Sequence, residues 1–191
     1  MFEQIIIPCV TQRTHLRPSL EAQIQREFAD APIVFVEQPP DLPPSANIPR
    51  TFGLASGDPA LYILHIEDDA ALAIGARAQM EDDAMLRRRA QAVSFFSIRQ
   101  RAGLCHERGL SFTVCVAVRA DVALAFAAWY PGWLAAHPEH HHASDIALSA
   151  YTRGSCWTRY PSLAQHLPVP SALGPRSKHR QSPTYAEVGN V

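Results

Sequence analysis

The sequence predicts an α/β fold, a three-layer sandwich around a mixed, mainly parallel central sheet. Apolar, strand-like runs alternate with helical segments in the first half of the chain, which begins with a β-α-β unit. Such a unit favours a parallel strand pair with a right-handed crossover. With 191 residues, the chain is long enough for one sizeable core. We therefore expect a single domain over residues 1–174 and a basic tail over residues 175–191, acting as a lid or disordered in part.

The first unit and the connector after it follow from local sequence. Residues 5–7 and 33–36 are typical of strands, and residues 18–28 between them are typical of a helix with proline in its first turn. Residues 38–49 contain five prolines and predict an extended connector, because proline suits neither a helix interior nor a central strand. A short helix is expected over residues 50–56.

The remaining elements are predicted from apolar runs, helix propensity and turn residues. They are a strand at 61–66, a helix at 70–89, strands at 92–98 and 112–118, and helices at 121–129 and 144–152. The two strands at 92–98 and 112–118 predict a hairpin, and Ser144 is expected to cap the last helix. From residue 161 onward, proline, serine and basic residues predict a wrapping tail without regular structure.

Charge and cysteine content bear on the class of protein. The net charge is -1 and the pI about 6.7, so no global field draws the chain to nucleic acid or to an anionic membrane. The four cysteines are scattered, which predicts reduced thiols in the cytoplasm. The first residues lack the basic start of a signal peptide. Proline and glycine at 131–132 break the most apolar stretch, so no membrane span is expected.

The chemistry is expected where the strand at 61–66 stops. Three acids follow it at once, Glu67, Asp68 and Asp69. A buried strand delivers such side chains to the carboxyl edge of a sheet, where open α/β folds bind ligands. Adjacent carboxylates repel one another, and a divalent cation bridging to substrate phosphates would neutralise them. The alternative is a solvated strand end in which Asp68 or Asp69 caps the following helix.

Four segments carry a resemblance to a known family. They are IIIPCVTQR near the start, HIEDDAAL after a predicted strand, SDIALSAYTRG, and YPSLAQHLPVPSALG. In this order they resemble the GT-A fold of nucleotide-sugar-dependent glycosyltransferases, and the last two together are similar to the closing region of small bacterial and phage members. The resemblance implies that the first strand and its loop embrace the nucleotide, and that an acidic motif at a strand end holds a divalent metal on the diphosphate.

The resemblance also implies roles for the acids and for one histidine. Asp69 is the expected direct ligand of Mn²⁺ or Mg²⁺, with Glu67 and Asp68 behind it or on the ribose hydroxyls, and His166 is an additional ligand. Hard cations suit oxygen ligands, and one imidazole is compatible with manganese. The chain departs from the family's Asp-x-Asp motif, and residues 167–168 replace its usual glycine. The alternative for His166 is a structural hydrogen bond across a proline-rich loop.

Asp145 is the expected catalytic base of an inverting transfer. It lies at the start of a helix, whose N-terminus stabilises the carboxylate and so lowers its pKa. An ionised carboxylate accepts the proton of an acceptor hydroxyl as that hydroxyl attacks the anomeric carbon. Without the resemblance, Asp145 is an ordinary acidic residue in the first turn of a helix.

Further residues are expected to contact the nucleotide. Thr11, Arg13 and Arg17 follow the first strand and Glu37 ends the second, within reach of phosphates, ribose or base. A basic cluster near the C-terminus is expected to fold over the diphosphate. It comprises Arg176, Lys178, His179 and Arg180. Solvated surface is the alternative for the loop arginines and for this cluster.

A histidine-rich loop precedes Asp145 and is assigned to the acceptor side. Three consecutive imidazoles, at 140–142, cannot all face one ion from a regular element. Trp129 and Trp133 beside them stack on an acceptor or, alternatively, fill the core.

Together these features predict a metal-dependent glycosyltransferase that moves a hexose from a nucleotide sugar, preferentially a UDP-sugar, to a hydroxyl acceptor. The best single acceptor is 5-hydroxymethylcytosine or a related hydroxymethylpyrimidine in DNA, by analogy with phage members of the fold. The alternatives are a saccharide or protein acceptor, a nucleotide-sugar-binding protein without turnover, and a metal-dependent nucleotidyltransferase or phosphohydrolase. We expect a cytoplasmic protein, in the host cytoplasm if viral, without a membrane partner.

Overall fold

A computed structural model of the chain describes residues 1–39, 41–110, 112–140, 143–169 and 181–185. Its strands are β1 (Phe2–Cys9), β2 (Ile33–Glu37), β3 (Tyr62–Ile66), β4 (Ala70–Leu72), β5 (Ala92–Ser94), β6 (Cys105–Arg108), β7 (Cys115–Arg119), β8 (Cys156–Tyr160) and β9 (Ala164–His166). Its α-helices are α1 (Arg17–Glu27), α2 (Pro44–Phe52), α3 (Ala76–Glu81), α4 (Ala84–Arg87), α5 (Ala120–Ala136) and α6 (Ser144–Tyr151). Short 3-10 helices cover Thr11–Leu16 and Pro138–His140.

Seven strands form one mixed sheet in the order β2-β1-β3-β7-β5-β8-β6. β1 pairs parallel with β2 and β3, and β5 pairs parallel with β8, whereas β7 and β6 run antiparallel to their neighbours. Most strands of this sheet therefore run in one direction, and the predicted α/β class with a mixed, mainly parallel sheet is confirmed. β4 and β9 form a separate antiparallel ribbon.

Alternating side chains on the strands build an apolar layer on each face of the sheet. On β3, Leu64 and Ile66 belong to the layer that α1, α3 and α4 cover. Ile63 belongs to the layer that α2, α5 and α6 cover. The central strands are thus buried on both faces, with helices on either side.

The proline-rich connector is helical in part, contrary to the sequence prediction. α2 begins at Pro44 and keeps Pro49 in its interior. Pro49 has no N–H, so the helix forgoes one hydrogen bond. The helix nevertheless places Phe52 in the core, where its ring stacks on His65 at 5.0 Å and meets Phe126 edge-on at 5.2 Å. Burial of this ring outweighs the local preference of proline.

The helix predicted at 70–89 is interrupted, so that prediction is wrong for its first turn. Residues 70–72 form β4, because they pair with β9. Gly75 then turns the chain with a φ of 73°, a left-handed conformation that glycine adopts without strain. Asp83 opens α4, where its carboxylate accepts the Met85 N–H at 2.9 Å. Helix propensity predicts α3 and α4 but not the ribbon that precedes them.

Other predictions differ from the structure in detail. The predicted hairpin partners β5 and β7 do pair antiparallel, but β6 lies within the loop between them. The helix predicted to end at residue 129 continues through Pro131 as α5. Among the helices that the structure describes, none has both the length and the apolar character needed to cross a bilayer.

The segment after residue 161, predicted to lack regular structure, contains β9. Residues 181–185 lie against this strand. Gln165 on β9 accepts the Ser182 N–H through Oε1 at 2.7 Å, and Ser182 Oγ donates to Ser162 Oγ at 2.7 Å. This part of the predicted tail therefore packs on the domain.

We expect His65 to make stability depend on pH in the acid range. Its ring is buried against Phe52, and burial lowers its pKa from 6.5 to about 4. Between these values the unfolded chain takes up a proton that the folded chain does not. Stability therefore falls as the pH falls from 6.5 to 4, by up to about 3 kcal/mol from this group.

The matched variant is His65→Phe, which keeps a ring against Phe52 and removes the titration. Urea denaturation at about pH 7 and about pH 4 should show a larger loss of unfolding free energy for the wild type than for the variant. Equal losses in the two proteins would contradict the assignment.

Candidate functional site

The candidate site lies at the carboxyl ends of β1 and β3. The chain leaves β1 toward β2 on one side, and β3 lies on the other side of β1. The carboxyl ends of β1 and β3 are therefore neighbours at one edge of the sheet, the usual ligand position in an open α/β sheet. The loop after β1 contributes Val10 and Arg13, and the turn after β3 contributes Glu67, Asp68 and Asp69.

Asp68 joins the two loops. Its Oδ2 accepts the Val10 N–H at 2.8 Å, and its Oδ1 accepts from Arg13 Nη1 at 3.0 Å. Burial raises the pKa of Asp68, and the hydrogen bonds from Val10 and Arg13 oppose that rise. Asp68 therefore closes the β1 loop onto the β3 turn.

Asp69 and His166 meet because β4 pairs with β9. The pairing sets Ala70 opposite His166, and the Leu167 N–H donates to the Asp69 carbonyl oxygen at 2.8 Å. This ribbon brings His166 Nε2 to 3.2 Å from Asp69 Oδ2. The predicted pairing of Asp69 with a histidine near the C-terminus thus has the geometry that two ligands of one ion require.

The Asp69 carboxylate is fully buried and accepts no hydrogen bond from the residues that the structure describes. Arg13 Nη1 lies 2.5 Å from its Oδ2, but that contact lacks hydrogen-bond geometry and acts as an ion pair. His166 Nδ1 lies 3.1 Å from the Leu167 carbonyl oxygen, which assigns the proton of a neutral ring to Nδ1. The lone pair of Nε2 then faces Asp69 Oδ2, and the Arg13 guanidinium is the positive charge beside them among the described residues.

Glu67 is the third acid of the group and is half-buried. The Thr113 hydroxyl donates to its Oε1 at 3.1 Å, and the same hydroxyl lies 2.8 Å from Ser144 Oγ. Burial, with the nearby carboxylates of Asp69 and Asp68, raises the pKa of Glu67 to about 7. The pKa rises because burial and the two neighbouring carboxylates make the ionised form of Glu67 unfavourable.

These groups fit a divalent cation. One ligand atom from each of Glu67, Asp69 and His166 lies within 4.8 Å of the others. Two carboxylates and one imidazole suit Mn²⁺, and the carboxylates suit Mg²⁺. The hydrogen bond from His166 Nδ1 to a backbone carbonyl is the kind of contact that orients a metal-bound histidine. The full burial of Asp69 contradicts a solvated strand end, and its convergence with Glu67 and His166 favours a cation.

The N-terminus of α6 lies close to this group. Ser144 is the first residue of α6 and makes no side-chain cap, so its predicted capping role is wrong. Its hydroxyl contacts Thr113 instead and connects α6 to Glu67. Asp145 follows in the first turn and is half-buried. The predicted base Asp145 therefore lies in the helix turn that Thr113 connects to Glu67.

A small cleft of about 10 Å³, room for about one water molecule, adjoins the acids on the β1 side. Its lining includes the apolar side chains of Ile7, Leu20 and Phe35 and the charged side chains of Arg13, Arg17 and Asp68. The Arg17 guanidinium lies 3.7 Å from the Phe35 ring centroid, and Arg17 Nη1 donates to Glu37 Oε1 at 3.1 Å. Of the predicted nucleotide contacts, Arg13 thus lines the cleft, and Glu37 contacts Arg17, which also lines it.

Thr11 does not belong to this group, and several other predicted residues lie outside the described part of the chain. Thr11 is exposed at the start of a 3-10 helix, and Thr14 rather than Thr11 lines the cleft. The predicted basic cluster lies outside the described residues, and so do two members of the histidine run. They are Arg176, Lys178, His179, Arg180, His141 and His142.

The rings near the histidine run stack on one another. Trp133 stacks on His137 at 4.8 Å and on His140 at 5.8 Å, and Trp129 lies 5.8 Å from Trp133. Much of the ring surface is therefore covered by neighbouring rings. This packing favours a structural role for these aromatic residues over stacking on an acceptor.

Sequence reasoning missed Thr113. This residue precedes β7, which runs antiparallel to β3, and the Glu67 N–H donates to the Val114 carbonyl oxygen at 2.9 Å. The pairing sets Thr113 beside Glu67. No local pattern around residue 113 indicates this contact, because it depends on which strand lies next to β3.

Compared with protein-family models and with curated protein sequences, the chain has no significant match.

We expect the purified protein to bind Mn²⁺ through Asp69 and His166. Loss of a residue that only supports a metal ligand weakens binding about 10- to 100-fold, so Asp69→Asn should weaken it at least that much. His166→Ala should also weaken it. Isothermal titration calorimetry with Mn²⁺ checks both variants.

The matched control is Asp121→Asn, which removes an exposed carboxylate at the start of α5. This residue follows β7 and lies beyond the opposite end of β3 from Glu67. The control should bind Mn²⁺ like the wild type. Undiminished Mn²⁺ binding by Asp69→Asn would remove this carboxylate as a ligand.

Proposed function

We propose that the chain is a metal-dependent glycosyltransferase of the GT-A type that transfers a hexose from a UDP-sugar to a hydroxyl acceptor. The observation that carries the proposal is the convergence of Glu67, Asp69 and His166 beside Arg13 at the carboxyl edge of the sheet. The sequence segments that resemble the GT-A fold supply these residues, and they come from positions almost 100 residues apart. The β4–β9 ribbon brings His166 to Asp69 across this separation.

Two arginines beside the acidic group support a nucleotide diphosphate as the donor. Arg13 and Arg17 provide two guanidinium groups, which suit the oxygens of a diphosphate. Because Arg13 contacts both Asp68 and Asp69, a diphosphate held by these arginines would lie beside the acidic group.

The reaction requires one proton transfer and one bond exchange. A bound Mn²⁺ or Mg²⁺ would supply a Lewis acid for the leaving diphosphate. The acceptor oxygen attacks the anomeric carbon, and the bond from that carbon to the diphosphate oxygen breaks with its electron pair. Asp145 accepts the acceptor's proton as general base, and the nucleoside diphosphate leaves.

The position of Asp145 follows from its helix. Ser144 is held by Thr113, which also holds Glu67. These contacts tie the first turn of α6 to the candidate ligands, so that the base and the leaving group are handled by adjacent elements.

The identity of the acceptor rests on the sequence resemblance. Hydroxymethylated pyrimidines in DNA are the first acceptors to test, and a saccharide or protein hydroxyl is the alternative. A DNA acceptor predicts binding to duplex that weakens with salt, because phosphate contacts release counterions.

Asp145→Asn should separate donor binding from turnover. The amide cannot take the proton, so we expect transfer to fall by about 10²- to 10⁴-fold while UDP binding in the presence of Mn²⁺ is kept. Nucleotide release and mass spectrometry of the products, with UDP-sugars and hydroxymethylated DNA or saccharide acceptors, measure the transfer. Calorimetry measures the binding.

The control is Glu139→Gln, which neutralises an exposed carboxylate in the 3-10 helix just ahead of α6. It should transfer at the wild-type rate. Full transfer by Asp145→Asn would exclude this residue as the base. UDP-sugar binding without any nucleotide release by the wild type would favour a binding protein, and an intact transferred nucleotide or a sugar phosphate product would favour the phosphoryl-transfer alternatives.

A further inference from the structure

Arg13 contacts the carboxylates that the proposed cation would use. Its Nη1 lies 3.0 Å from Asp68 Oδ1 and 2.5 Å from Asp69 Oδ2. The same Asp69 oxygen lies 3.2 Å from His166 Nε2. One carboxylate oxygen therefore faces both the guanidinium and the imidazole.

A cation on this oxygen would lie very close to Arg13. Metal–oxygen distances are about 2.0–2.6 Å, so a divalent ion bound to Asp69 Oδ2 would lie only a few ångströms from the guanidinium. The Arg13 side chain is largely buried, at 11 % exposure, so water screens the repulsion weakly. The ion and the guanidinium therefore compete for the charge of Asp69.

The fold gives Arg13 a second direction in which to bind. Arg13 lies in the 3-10 helix at Thr11–Leu16, where its N–H donates to the Val10 carbonyl oxygen at 2.9 Å. Its side chain also lines the cleft beside Arg17 and Phe35. A diphosphate at the mouth of this small cleft would offer Arg13 acceptors other than the Asp69 carboxylate.

We propose that Arg13 is a positioning residue that couples the two ligands: it opposes cation binding at Asp69 until a diphosphate at the mouth of the cleft takes up its charge. This inference rests on the proposed function, because it assumes that a cation and a diphosphate share the site. It adds that they bind cooperatively, and that the cooperativity resides in one side chain. By linkage, each ligand strengthens the other by the same factor.

The test is Mn²⁺ calorimetry with and without UDP on the wild type and three variants. In Arg13→Gln, the repelling charge is gone, so Mn²⁺ alone should bind about tenfold more tightly than to the wild type. The factor by which UDP improves Mn²⁺ binding should shrink in the same variant. Circular dichroism of each protein establishes that it is folded.

Two further variants show whether charge is responsible. Arg13→Lys keeps the positive charge and should bind Mn²⁺ alone nearly as weakly as the wild type. Arg119→Gln removes a guanidinium paired with Asp121 beyond the far end of β3, and should leave both Mn²⁺ affinity and the UDP effect unchanged.

The outcomes separate this inference from the proposed function. Mn²⁺ binding with equal or lower affinity in folded Arg13→Gln, or an Arg13→Lys protein that binds Mn²⁺ alone tightly, would overturn the role of Arg13 while leaving the metal site in place. An absence of Mn²⁺ binding in every protein, with and without UDP, would overturn both. Should Arg13→Gln fail to fold, weak binding of Mn²⁺ alone by Arg13→Lys together with an undiminished UDP effect supports the inference.

Discussion

Three neighbouring carboxyl groups are held largely out of water at the end of β3, and their negative charge must be compensated. The Val10 N–H and Arg13 serve Asp68, and Thr113 serves Glu67. Arg13 also forms an ion pair with Asp69, and His166 Nε2 lies 3.2 Å from the same carboxylate. The partners come from the loop after β1, the approach to β7 and the end of β9, so the sheet order and the β4–β9 ribbon are what make this cluster tolerable.

The described positive charge does not balance the negative charge of the three acids. Arg13 is one positive charge beside three acids, and the pKa of Glu67 rises to about 7 because another negative charge there is costly. A divalent cation would balance the remaining negative charge. A diphosphate would in turn bind to that cation and to the Arg13 guanidinium. The same electrostatic imbalance therefore favours both ligands of the proposed reaction, and it explains why Arg13 would influence each of them.

Part of the site could be predicted from local sequence. An apolar strand ending in three acids indicated where Glu67, Asp68 and Asp69 would lie, because parallel sheets expose the carboxyl ends of their strands. His166 and Asp145 were selected only because the order of four segments resembles that of a known family. Predictions from propensity failed at residues 70–72, where pairing with β9 overrides helix preference, and in α2, where burial of Phe52 outweighs the interior Pro49.

The sequence by itself determined five strands, β1, β2, β3, β5 and β7, and the position of the acidic run, since hydrophobic periodicity and strand termination are properties of neighbouring residues. Only the tertiary structure decided which groups face those acids. Arg13 is 55 residues from Asp68 along the chain, and Thr113 is 46 residues from Glu67. Contacts over such separations depend on strand order and register. The entropy cost of closing these long loops is offset by packing of the whole core, so the local sequence pattern does not indicate which residues meet.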